Sequence, residues 1–233
     1  MKYKNSVFLG TSHIARQSLN EVKNYIKEEK PDIIALELDR RRLPALMRKG
    51  SGRIQLRAIK HIGLKGFIFS LFGAWAERKL GKLVGVAPGA EMKQAVRIAA
   101  KEKIKLALID QDIETTLKRL SRAITWKEKL NFIGDIIKAL FIRKKGLEFD
   151  LTTVPDKRII KKLTNKLKES YPNVYKVLIE ERNQVMANNI KNLMESAPDK
   201  KILVILGAGH IDDVIDLIKE LEQTKINYKL SIG

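Results

Sequence analysis

Apolar runs and helical periods alternate at both ends of the chain. Residues 5–10, centred on Val7-Phe8-Leu9, read as a short buried strand. Residues 14–29 set Ile14, Leu19, Val22, Tyr25 and Ile26 on one side with Lys and Glu opposite, the period of an amphipathic helix. Pro31-Asp32 breaks that helix, and Ile33 to Leu38 follow as a second strand. Strand, helix, strand is a βαβ unit, whose right-handed crossover makes the strands parallel. After the Val86-Ala87-Pro88-Gly89 turn, residues 90–102 predict an Ala-rich helix with Met92, Ala95, Val96 and Ala99 inward, and Lys105 to Ile109 a third strand. From 113 to 195 the period stays helical, in segments near 113–122, 126–142, 155–169 and 173–195. Residues 202–206 return to strand, 211–223 to helix and 226–232 to a last edge strand. The expected fold is α/β: a mainly parallel central sheet flanked by helices, with a large helical insertion before the last G-x-x-H strand. One domain over 1–233 accommodates this, with a helical excursion at about 113–200 and a basic and apolar insertion at about 40–85.

Charge and composition narrow the classes. Lys and Arg exceed Asp and Glu to give a formal net charge of +19, which suggests a polyanionic neighbour or a Lys-rich solvated surface. Cysteine is absent, so disulfides and thiolate zinc sites are excluded. Few thermolabile side chains occur, as in many thermophile proteins. The apolar stretch after Lys4 is too short for a signal peptide, and no run reaches the roughly 20 residues that cross a bilayer. These features predict a cytoplasmic protein, with peripheral membrane attachment as the alternative. Residues 62–76, from Ile62 through Phe67, Phe69 and Phe72 to Trp75, are the most apolar stretch. They read as a core helix, a homodimer contact, or a flap on an acidic membrane surface. Basic clusters from Arg40 to Arg57 and Lys157 to Lys168 raise the question of nucleic acid, but aromatics form only 6 per cent and do not interleave with them. A stacking platform is therefore missing, and nucleic acid is the least favoured partner.

Two turns share one pattern. Gly10-Thr11-Ser12-His13 and Gly207-Ala208-Gly209-His210 are each a G-x-x-H that leaves an apolar run and enters a helix. In a parallel sheet both arrive at the C-terminal edge, where α/β proteins keep their sites. Glu37 and Asp110 end two further strands at the same edge. Two imidazoles and carboxylates suit a divalent metal such as Zn, Mn or Co. Gly10, Gly207 and Gly209 are expected to supply unusual dihedrals and close backbone approach. Glu91, in the first turn of its helix, reads either as a carboxylate favouring the helix dipole or as a metal ligand or general base. Arg182 falls on an apolar stripe with Val174, Leu178, Val185 and Asn189. A buried arginine needs an anionic ligand or a structural pair with Glu37, Glu91 or Asp110. His61 lacks the G-x-x-H setting and is left outside the site.

Taken in order, Gly10-Thr11-Ser12-His13 with Ser18, Pro31 to Asp39 with Arg42, Gly89-Ala90-Glu91-Met92, Asp110-Gln111-Asp112-Ile113, Glu181-Arg182-Asn183 and Gly207-Ala208-Gly209-His210 resemble the TraB or pheromone-shutdown family. The resemblance covers nearly the whole chain and is weakest at 50–85 and 120–170. It implies an α/β fold shared with Tiki proteases and with erythromycin-esterase-like and ChaN-like proteins. In the Tiki branch two G-x-x-H motifs and a glutamate carry metal-dependent peptide cleavage; here these would be the metal residues His13, Glu37 and His210. Glu91 and Arg182 would then be the catalytic candidates, as base and as carboxylate or oxyanion holder. The resemblance equally allows a protein that captures a signalling peptide or small ligand without cleaving it.

Overall fold

A computed structural model describes residues 1–11, 16–48, 89–141 and 157–232. Among these residues five strands form one sheet in the order β1-β2-β5-β3-β4. They are β1 (Lys2–Tyr3), β2 (Ser6–Thr11), β3 (Ile33–Leu36), β4 (Lys105–Leu108) and β5 (Ile202–Gly207). All neighbours are parallel except β1, which pairs antiparallel with β2 as a short edge that the sequence pattern did not suggest. β5 is central, with Thr11 opposite Gly207 on one side and Leu36 opposite Ile205 on the other. Every residue of β3 is buried and so are the first five of β5, because helices cover both faces of the sheet.

Alternation along the strands sends successive side chains to opposite layers. Phe8, Ile33, Ala35, Val204 and Leu206 meet Met186, Ile190 and Met194 of α8 (Glu181–Ser196) and Val214, Ile215 and Ile218 of α9 (Ile211–Ile232). On the other face, Ile34, Leu36, Leu203 and Ile205 meet Val22 and Ile26 of α1 (Arg16–Glu29) and Met92, Ala95 and Ala99 of α3 (Ala90–Glu102). The short α2 (Arg42–Met47) lies between β3 and α3 in sequence. α3 starts at Gly89, whose φ of 73° is left-handed, and ends at Lys103, left-handed at 56°, whose N–H donates to the Ala99 carbonyl.

The helical excursion comprises α4 (Ile113–Ala123), α5 (Trp126–Phe141), α6 (Lys157–Ser170), α7 (Pro172–Tyr175) and a π-turn at Lys176–Glu180 that runs into α8. Leu120, Ile124, Val174 and Val177 give it a small core of its own. Asp112 caps α4 by accepting from the Glu114 and Thr115 N–H groups at 2.9 and 3.2 Å. Thr125 and Glu128 form a reciprocal capping box at the start of α5.

Two expectations are corrected. Residues 226–232 continue α9 and do not form an edge strand. Their apolar alternation at Ile226, Tyr228, Leu230 and Ile232 mimics a strand, but no Gly or Pro stops the helix that begins at Ile211. Of the stripe through Val174, Leu178, Arg182, Val185 and Asn189, Val174 is buried and Leu178 packs against the same small core, but on α8 the buried positions are displaced to Asn183, Met186, Ala187, Ile190 and Met194. The π-turn inserts a longer hydrogen-bonded repeat just before α8 and rotates its inward face by about one residue. The candidate dimer and lipid contact at 62–76, and most of the 40–85 insertion, lie outside the described residues. Among those described, no helix is long and apolar enough to cross a membrane.

Candidate functional site

Three strand ends and one helix converge at the C-terminal edge of the sheet. Glu37 directly follows β3, Asp110 lies just beyond β4, and His210 stands between β5 and α9. All three are buried. Glu37 is fixed at both oxygens: the Gly207 N–H donates to Oε2 at 2.5 Å, and Arg182 Nη2 donates to Oε1 at 2.5 Å. Arg182 also grips Asp110, Nε to Oδ1 at 2.9 Å and Nη2 to Oδ2 at 2.8 Å. Its Nη1 donates to the Leu178 carbonyl at 3.2 Å, a carbonyl of the π-turn. Burial alone would pull the Arg182 pKa down; Asp110 and Glu37 outweigh it and hold the guanidinium above its ordinary value. The two carboxylates on neighbouring strands are thus tied by one cation. Of the partners expected for Arg182, these are the pair it meets.

His210 presents Nε2 to Glu37 Oε1 at 3.6 Å. Its Nδ1 lies 2.5 Å from Asn183 Oδ1, while Asn183 Nδ2 donates to Asp213 Oδ2 at 3.2 Å. An ionised Asp213 only accepts, so it orients the Asn183 amide with its oxygen towards the imidazole. With Asp213 ionised, Nδ1 carries the proton and Nε2 is directed at Glu37. Burial raises the Asp213 pKa, against an opposing pull from His210.

A second arginine extends the network outward. Arg42, half-exposed at the start of α2, places Nη1 3.2 Å from Asp110 Oδ2 and Nε 4.0 Å from Asp39 Oδ2. Asp39 is buried; its Oδ1 accepts from the Arg41 and Arg42 N–H groups at 2.8 and 3.1 Å. Burial raises its pKa, and those N–H donors only partly counter it. Arg41 turns to Asp112 and Glu114, at 2.8 and 2.5 Å. Two cations of the basic Arg40 to Arg57 run are therefore matched by carboxylates.

The remaining candidates divide. His13 lies outside the described residues, although Thr11, two positions earlier, pairs with Gly207. Glu91 is buried in the first turn of α3. Since α3 runs back to the start of β4, that turn faces the same edge of the sheet. Gly10, Gly207 and Gly209 do not adopt left-handed dihedrals; among described glycines only Gly89 does, which corrects the conformational reason expected for them. Close approach is the reason at Gly10, where a Cβ would come within 2.7 Å of Ile211 Cδ1 and 3.3 Å of Ala208 Cα. Gly207 contributes its N–H to Glu37, and at Gly209 a Cβ would meet only Ile160 Cγ2, at 3.5 Å. The sequence named Asn183 and Arg42 only within the motifs that carry the family resemblance, and Asp213 not at all. The usable signal for Asn183 was its place in the Glu181-Arg182-Asn183 motif. A concavity of about 620 Å³ lies at the opposite edge, lined by Pro31, Asp32, Lys105, Pro198 and Lys200. Remote from Glu37 and His210, it takes no part in this chemistry.

The sequence model of the TraB/PrgY/gumN family matches residues 2–229. An uncharacterized protein of Methanocaldococcus jannaschii is 35% identical over 218 residues, covering 92% of this chain and 53% of that protein. TraB domain-containing proteins of Mus musculus and Homo sapiens are 23% and 22% identical, each covering 88% of this chain and 60% of theirs. The chain thus spans little more than half the length of these relatives. With a match running from the first strand into the last helix, and through every polar strand end just described, the chain belongs to the TraB/PrgY/gumN family.

Proposed function

We propose that the Glu37–His210 edge is the reactive centre of a metal-dependent hydrolase acting on peptide bonds. The observation that carries the reading is the oriented imidazole: Asn183 holds Nδ1, and Nε2 faces Glu37 Oε1 at 3.6 Å. A second partner that fixes the far nitrogen is the usual support of a metal-binding histidine. The spacing fits as well, since donors at roughly 2.0–2.1 Å from a tetrahedral ion lie about 3.3 Å apart. Among the described residues no group of three such donors forms, so the set would be completed by His13. His210 and Glu37 would hold the ion with it. A bound divalent ion lowers the pKa of water and polarises a carbonyl.

The chain's own residues do the rest. The Gly207 N–H and Arg182 lock Glu37 in one orientation. With its donors committed to Asp110, Glu37 and Leu178, Arg182 acts here as a positioning residue, and Glu91 is the candidate proton acceptor. The experiment is elemental analysis of the purified protein, followed by a quenched-fluorescent peptide library with added Mn, Co or Zn. Cleavage that His210→Ala and Glu37→Gln abolish is the expected result. A folded protein that neither retains metal nor cleaves any member overturns the reading.

Capture of a peptide without cleavage is the second reading. It is favoured by the full engagement of both Glu37 oxygens, which leaves that carboxylate a weak proton acceptor. Saturable peptide binding that survives chelation, without turnover, would select it.

A further inference from the structure

We propose that the first turns of α5 dock this protein on a membrane surface containing anionic lipid. Trp126 is 76% exposed and Leu130 66%, although both are large and apolar. At i and i+4 they share one face of the helix. Between Ser121 and Leu130 the cations Arg122, Lys127 and Lys129 face a single carboxylate, Glu128. That carboxylate is turned inward and 3% exposed, held by Thr125 at 2.9 Å and by the Asn173 N–H at 2.8 Å. The capping box therefore turns the one negative charge of residues 121–130 away from the outer surface and leaves an apolar pair among cations. Tryptophan with leucine, flanked by lysine, is the side-chain chemistry of the lipid–water boundary. The net charge of +19 adds long-range attraction to an acidic leaflet.

Other occupants fit less well. A second copy would bring Lys127 and Lys129 against the same lysines across a two-fold axis. Two side chains also fall far short of the roughly 1,200–2,000 Å² that a stable interface buries. A nucleic-acid base would need the open face of Trp126, but Lys129 Nζ already stands 4.0 Å from the ring centroid.

Flotation of the full chain with phosphatidylcholine vesicles, with and without phosphatidylserine, tests this independently of any hydrolase activity. Binding should require phosphatidylserine and weaken with added salt. Trp126 emission should shift to the blue, read in a Trp75→Phe background that leaves one tryptophan. The Trp126→Ala/Leu130→Ser variant should bind at least about tenfold more weakly, a change worth about 1.4 kcal/mol. Lys127→Gln should weaken binding about fivefold. Both positions are exposed, so an unchanged melting temperature certifies that these variants fold. The proposal is overturned by absence of binding, by equal binding to neutral vesicles, or by binding that the double variant leaves intact. Concentration-dependent dimerisation that the double variant abolishes also overturns it, as does a preference for RNA over vesicles.

Discussion

Replacing Arg182 by methionine keeps an unbranched apolar stem and removes the charged guanidinium that joins Glu37 to Asp110. Both carboxylates are buried, and Arg182 supplies three of the N–H contacts they receive. Removing one partner of a buried ion pair costs about 3–5 kcal/mol, because the other is left charged and poorly solvated. Arg42 still reaches Asp110 at 3.2 Å, so the lower part of that range applies to Asp110, and Glu37 bears the rest. Against a total stability of about 5–15 kcal/mol for a domain, this is a large fraction. Asp110→Asn alone should cost about 1.5–3 kcal/mol, the value of hydrogen bonds to a charged group. In the double variant the two losses should fail to add by at least about 1 kcal/mol, since each removes part of the same contact. Urea denaturation followed by far-ultraviolet circular dichroism, at one pH and with equal m-values, measures all four proteins. A loss below about 1 kcal/mol for Arg182→Met, or additivity within about 0.5 kcal/mol, would show that the network does not couple as its geometry requires.

Three further outcomes follow from other positions. Gly10→Ala should lower stability by about 1–3 kcal/mol through overpacking against Ile211 Cδ1, and Ile211→Val should restore part of it in a thermal melt. Asp39 has a folded pKa raised by burial, so the native state holds its proton more tightly and this group costs stability as pH rises past the ordinary carboxylate range. Asp39→Asn, whose Oδ1 can still accept from Arg41 and Arg42, should therefore raise the melting temperature at pH 7, and the gain should vanish near pH 3; unchanged melts at both pH values would refute it. Tyr171, which donates to Asp135 Oδ2 at 2.7 Å, is pushed up to about 12 by burial and that bond. Its contribution is complete below pH 10 and is lost as pH climbs towards 12, a slope that Tyr171→Phe should flatten in alkaline denaturation.

Strands β3 and β5 were legible because a continuous apolar run bounded by polar residues has few other uses. The two G-x-x-H turns were legible for the related reason that each leaves such a strand. Strand order was not: nothing in residues 202–207 says that they insert between β2 and β3, and only that insertion brings the Gly207 N–H and His210 to Glu37. The π-turn at 176–180 has no local signature, so the inward face of α8 was read one residue out of phase, with Arg182 placed among apolar neighbours. Asn183 was quoted only as the end of the Glu181-Arg182-Asn183 motif and Asp213 escaped notice, because amides and acids in helices usually face water and their use here depends on α8 packing on α9. At 226–232 a period-2 pattern was outweighed by an uninterrupted helix.

Of the described strands, the one made last lies at the middle of the sheet. While residues 202–207 are still unsynthesised, β2 and β3 have no common neighbour, and their inner edges offer bare N–H and C=O groups to any passing chain. Completion of the edge pairing, and with it the meeting of His210 and Glu37, waits for residues 202–210 to leave the ribosome. A nascent fragment ending before Ile202 should thus depend on holdase chaperones, and a separate peptide spanning residues 200–232 should complement it.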